Sequence, residues 1–181
     1  MQVSLPAGKR SLDTRWVFRN KQDESGVIVR NKARLVVRGF RQIDGLDYKE
    51  VYAPVARLEA IRILLAYASF MDFTVYQMDV KTAFLYGKVK EEIYVDQPPG
   101  FVNPQFPDLV YKLDKALYGL HQAPRAWYAT LTEHLLQHGY TCGTIEQTLF
   151  IKRVDKDQIV VQINVDDIIF GTTSDSLCKE F

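Results

Sequence analysis

Two adjacent carboxylates, Asp166 and Asp167, are set into an apolar run from Val160 to Gly171. Val, Ile and Phe on both sides read as two buried strands. A buried Asp is costly unless it is paired or bound to a cation. Two such neighbours repel by about 4 kcal/mol at about 4 Å and an effective dielectric near 20. A divalent cation turns that cost into a binding site. The plainer alternative is a hairpin tip, where Asp is solvated and tolerates turn dihedrals. The flanks favour the metal, because the tip carries no Gly or Asn and the apolar run resumes at once. A third carboxylate, Asp79, ends the β-prone run Phe73–Val80 between Met78 and Val80. One strand-end Asp and a later Asp pair match two-metal phosphoryl transfer. In that chemistry two ions about 4 Å apart activate a hydroxyl and stabilise a leaving oxygen.

The elements that would position these groups follow from periodicity. Leu149–Val154 and Ile159–Val165 flank a polar turn and read as antiparallel strands feeding the Asp pair. Arg57–Met71 reads as a helix with an apolar stripe of Leu58, Ile61, Leu64, Leu65 and Ala68. A second helix follows Tyr118–Arg125. Pro124 fits its first turn, Gly139 its C-terminal cap, and Trp127 or Tyr128, Leu131 and Leu135 its inner face. Lys81–Leu85 is a tight turn or short helix, and Ile93–Val95 a short strand. Gly39–Pro54 and Gln97–Gly100 read as loops, and Met1–Leu12 as a lead-in without pattern. Ser174 and Asp175 look like a helix start, cut off at Phe181.

Arg15–Lys21 and Val27–Arg38 read as a hairpin around the turn Gln22–Gly26. Arg30, Lys32, Arg34 and Arg38 have even spacing, so an uninterrupted strand would put them on one face, able to fold over phosphates. Net charge is only +1, yet Lys9–Arg41 holds ten Lys and Arg against three Asp and Glu. A basic part beside an acidic part suits an enzyme that holds polyphosphate and metal. A solvated basic hairpin explains the charge equally well.

The length of 181 residues and 47% hydrophobic content describe one globular domain, or one pair of lobes. Cys142 and Cys178 form no CxxC or Cys/His cluster, which points away from a zinc site or disulfide framework. His134 and His138, one helical turn apart, read as a surface pair. No apolar stretch is long enough to span a membrane, and no signal-peptide core opens the chain. A reducing, intracellular setting fits.

Six segments in this order resemble the reverse transcriptase of copia-type LTR retrotransposons, the plant elements with a Pol polyprotein. They are Lys32–Val36, Tyr48–Ala56, Tyr76–Leu85, Gln97–Phe101, Lys115–Trp127 and Val165–Asp167. The resemblance runs from about Leu5 to Phe181. It implies an α+β right-hand polymerase over residues 1–181 that lacks its thumb. Residues 12–56 would be the fingers hairpin and loop, and 57–181 mainly palm with an antiparallel sheet. It implies RNA-directed DNA polymerase activity, adding a dNTP to a primer 3′-hydroxyl on an RNA or DNA template. Asp79, Asp166 and Asp167 would be the catalytic carboxylates holding two Mg2+, or Mn2+. Phe84 would stack under the sugar and reject a 2′-hydroxyl, with Tyr118 and Gly119 beside the incoming nucleotide. Lys32 and Arg34 would contact the triphosphate, with Arg19 and Lys21 as alternates. Asn164 and Val165 would lie near the primer end. The other partners implied are the thumb, RNase H and integrase of a full-length element, copied in a cytoplasmic particle.

Three departures stand out. Asn164 occupies a position that is usually Tyr in this family, which bears on primer positioning but removes no metal ligand. The chain ends soon after the Asp pair, before a thumb, and without one its hold on a duplex should be weak. No protease or integrase precedes it. A fragmentary or decayed reading frame is therefore expected, and the competing function is an inactive remnant that binds nucleic acid without catalysis. A different palm enzyme, such as a nucleotide cyclase, fits Phe84 and the loop before Pro124 less well.

Overall fold

The computed structural model describes all 181 residues. The first strands are β1 (Gln2–Ser4), β2 (Ser11–Leu12), β3 (Thr14–Gln22) and β4 (Ile28–Val37). Helix α1 (Leu58–Phe70) precedes β5 (Thr74–Asp79), β6 (Tyr94–Val95) and β7 (Leu109–Lys112). Helix α2 (Ala123–Gln137) precedes β8 (Thr141–Cys142), β9 (Leu149–Val154), β10 (Asp157–Asn164) and β11 (Asp167–Thr172), and α3 (Asp175–Glu180) closes the chain. The class is α+β, as expected. The chain divides into two compact units, Met1–Val51 with Phe84–Ala126, and Tyr52–Ala83 with Trp127–Phe181. No helix is long and apolar enough to cross a membrane.

The first unit carries the hairpin and a small sheet. The hairpin turn is closed by Asp23, whose carboxylate accepts from the Ser25 N–H, the Ser25 hydroxyl and the Val27 N–H. The register pairs Val17 with Arg34, Arg19 with Lys32 and Lys21 with Arg30. Cross-strand partners share a face, so Arg15, Arg19, Lys21, Arg30, Lys32 and Arg34 form one basic face. Arg38 does not belong to it, because β4 ends at Val37 and Arg38 pairs with Asp13. The other face carries Trp16 and Phe18, stacked at 6.5 Å.

Met1–Leu12 is not patternless. β1 pairs with β7, and β2 pairs in parallel with β6, in a sheet ordered β1-β7-β6-β2. Strands of two to four residues leave no readable alternation, so periodicity could not find them. Leu12, Val37, Ile93, Val95, Ala116 and Leu120 form the core beneath.

The second unit is built on an antiparallel sheet ordered β5-β11-β10-β9-β8. β10 is apolar on both faces because both faces are covered. Ile159, Val161 and Ile163 pack with Leu135 of α2 and Leu177 of α3. Val160 packs on the other side with Leu64 and Ala68 of α1. The stripe expected on α1 is narrower than its pattern. Leu64 and Ala68 are buried, but Leu58 is 55% and Leu65 44% exposed, since only one line of the helix meets the sheet. On α2, Trp127 and Leu135 face inward as expected. Gly139, at φ 82°, ends the helix in the left-handed region.

One ion cluster in the first unit has a clear pH signature. Glu92 accepts from Lys112 at 2.9 Å and from the Tyr94 hydroxyl at 2.8 Å, and pairs with Lys9 at 3.0 Å. Lys112 first, then Lys9 and Tyr94, hold its carboxyl down at about 2, against an ordinary 4.5. A depressed carboxyl contributes stability above its unfolded value and loses it as pH falls through the folded one. Thermal melts should therefore find Glu92→Gln less stable than the unaltered chain at pH 6, with the gap closing between about pH 4.5 and 2. The gap should be small, because the groups are exposed and screened by solvent.

Candidate active site

The Asp pair sits at a two-residue hairpin. Asn164 pairs with Asp167, which leaves Val165 and Asp166 as the turn. The hairpin-tip reading thus holds for Asp166, while Asp167 opens β11. Asp166 and Asp79 are exposed and Asp167 is half-buried, so the Asp pair is not buried as its apolar flanks suggested. The strands on both sides carry the burial.

Asp79 enters from β5, where it lies opposite Asp167 in the β5–β11 register. The Val80 N–H donates to the Asp166 carbonyl at 2.8 Å. That bond makes 80 and 166 a hydrogen-bonded pair, so Asp79 and Asp167 form the closer type of pair, with Cα atoms about 4.5 Å apart. Both share a face with Gln77, whose amide donates to the Asp167 carboxylate at 3.4 Å. Like charges directly opposite destabilise a sheet, and the chain's ion pairs lie elsewhere.

The side chains as they stand do not converge into a group of three that could hold one ion. The donor set still fits a hard divalent cation. It is all carboxylate oxygen, gathered at one sheet end, and two of its three members are free to change rotamer at the surface.

Val165 has a φ of 62°, the left-handed region that β-branched residues rarely adopt. A positive φ at the first turn position is the II′ hairpin pattern, which ordinarily calls for Gly. The Trp127 indole N–H donates to the Val165 carbonyl at 2.6 Å. Sequence reasoning placed Trp127 only on the inner face of a helix. A Trp far from the acids in sequence gave no sign of this bond.

The first unit brings three of the five expected nucleotide residues, Arg34, Phe84 and Tyr118, into contact. The Arg34 guanidinium lies 5.2 Å from the Tyr118 ring centroid, and Phe84 meets Tyr118 at 5.3 Å. The Tyr118 carbonyl accepts from the Val37 N–H at 2.8 Å, docking the loop on the end of β4. Gly119 follows at φ 95°, and a Cβ there would stand 2.1 Å from the Val37 carbonyl oxygen. Lys32 is half-buried on the basic face, two residues before Arg34 and opposite Arg19. The loop is also tied by Gln42, whose amide donates to Gln122 at 2.9 Å and accepts from the His121 N–H at 2.8 Å. Neither Gln was singled out in the sequence, since an isolated Gln has no pattern.

The model of a family described as reverse transcriptase (RNA-dependent DNA polymerase) matches residues 1–181. The chain is 43% identical over 168 residues to the retrovirus-related Pol polyprotein from transposon TNT 1-94 of Nicotiana tabacum, covering 92% of this chain and 13% of that protein. It is 42% identical to the one from transposon RE2 of Arabidopsis thaliana, covering 91% and 11%. It is 43% identical to the one from RE1 of the same plant, covering 86% and 11%. The chain therefore spans a small part of the length of these relatives. No solved structure matches.

Gly119→Ala should cost the first unit about 1–3 kcal/mol from backbone strain alone, with the carbonyl clash adding to it. A thermal midpoint lowered further than in Gly8→Ala would show the clash, since Gly8 shares the positive φ and its strain but has open space around it. Equal effects at the two positions would contradict the docking of the loop on β4.

Proposed function

We propose that this chain, which belongs to the reverse transcriptase family, is the nucleotide-adding part of a copia-type Pol polyprotein. The reaction is RNA-directed DNA polymerisation, moving a nucleotide from a dNTP to a primer 3′-hydroxyl on a nucleic-acid template. The observation that carries this reading is the cross-strand placement of Asp79 opposite Asp167, with Asp166 on the adjoining turn. In this reading residues 12–56 are the fingers hairpin and loop, and 57–181 are mainly palm. Its partners are the template with primer, the dNTP and the remaining Pol segments.

Asp79, Asp166 and Asp167 hold the metal, with Asp79 and Asp166 as principal ligands. The chemistry that two Mg2+ ions, or Mn2+ in their place, supply at such a site is activation of the primer hydroxyl and charge neutralisation on the leaving pyrophosphate. The protein residues bind and orient. Arg34 and Lys32 attract the triphosphate as fixed cations. Tyr118 braces Arg34 by a cation–π contact worth about 0.5–1 kcal/mol at an exposed site. Phe84 offers an apolar ring to the sugar, where a 2′-hydroxyl would lose its hydration without a partner. Gly119 lets the loop that carries Tyr118 dock closely on the end of β4.

A second reading, a remnant that binds nucleic acid without catalysis, is favoured by Asn164 alone. An amide replaces the aromatic ring usual beside the primer. The basic hairpin face would still bind phosphate, with strong salt dependence.

Primer extension on an RNA template with dNTPs and Mg2+ separates the two. Asp166→Asn should lower incorporation by about 10³-fold, the scale set by removing one charge-stabilising group. Incorporation that survives this change would contradict the catalytic assignment. Asn164→Tyr should leave incorporation equal or raise it. Activity found only in that variant would favour the remnant reading for the natural chain.

A further inference from the structure

We infer that Trp127 is a positioning residue for the acidic turn, its indole N–H holding the turn in the strained form that presents Asp166 and Asp167. The inference deepens the polymerase reading and rests on it.

Trp127 is 7% exposed, and a buried indole N–H needs an acceptor. Its acceptor is the carbonyl of Val165, at 2.6 Å and 38 residues away in the chain. Val165 is the residue in the left-handed region, and it is β-branched, so its conformation must be imposed from outside. Two successive carbonyls of the turn are held by separate donors. The Val165 carbonyl takes the indole, and the Asp166 carbonyl takes the Val80 N–H. The second bond also ties the end of the Asp79 strand to the turn. Together they fix the peptide planes on both sides of the Asp166 α-carbon, and hence where its carboxylate leaves the backbone. With the indole bond gone, Val165 is free to leave the left-handed region and carry Asp166 away from Asp79. Residues that orient metal ligands without touching the metal act in this way.

Mn2+ binding to the full 181-residue chain, read by water-proton relaxation, tests this. Trp127→Phe keeps an aromatic ring of similar shape and removes the donor. It should weaken Mn2+ about ten-fold or more. Adding Val165→Gly to that variant should recover most of the loss, because glycine adopts positive φ without strain. A purely packing role for Trp127 predicts no such recovery. Unchanged Mn2+ affinity in Trp127→Phe, or a loss that Val165→Gly fails to repair, would overturn the inference alone. Absence of Mn2+ binding by the unaltered chain would overturn the polymerase reading with it.

A second measurement guards against misfolding of the variant. The chain has two Trp, so an indole ¹⁵N spectrum has two side-chain signals. The buried Trp127 N–H should resist exchange with deuterated solvent. Rapid exchange at that signal would overturn the inference even if Trp127→Phe fails to fold.

Discussion

The register between β5 and β11 is the constraint on which the second unit depends. Pairing Asp79 with Asp167 also pairs Met78 with Ile168 and Tyr76 with Phe170. A slip of one residue would turn every side chain of β5 to the opposite face. Tyr76 stacks on Phe170 at 5.2 Å and an interplanar angle of 20°, which helps lock this register. The acids are thus brought together by apolar and aromatic neighbours further down the same strands. Apolar packing sustains a like-charge pair that the acids alone would not form.

The sheet can bear this cost because its centre is apolar on both faces. Phe150, Ile159 and Val161 are fully buried, and the acids stand at the end of the strands where burial gives out. Buried polar groups lie among these apolar ones, Gln162 and Thr148 the most deeply. The Gln162 amide donates to the Thr148 hydroxyl, and that hydroxyl donates to Glu146. The relay satisfies one end of an amide that is otherwise costly to bury.

The first unit solves a different problem. A long two-stranded ribbon is marginal alone. Here the base of the hairpin is fixed by Leu12 and Val37 in a small core and by the Tyr118–Gly119 loop at the end of β4. Gly39 and Gly119 let two backbones meet where any side chain would collide. The same ribbon then separates its chemistry by face, basic residues on one side and Trp16 and Phe18 on the other.

Much of this was legible in the residues themselves. The acids, the even spacing of the basic residues, the doubly apolar β10 and the ends of α1 and α2 are properties of residue type and local period. Local period is a short-range signal, and an amphipathic or capped segment carries it wherever it lies. The sheet of β1, β2, β6 and β7 was not legible, because its strands are too short to show alternation. The exposure of Leu58 and Leu65 was not legible either, since a helix pattern does not say how wide its neighbour is. The register of Asp79 against Asp167, the left-handed Val165 and the indole bond that meets it belong to the tertiary structure alone. Each joins residues distant in the chain, and their approach is decided by how whole faces pack, which no local pattern encodes.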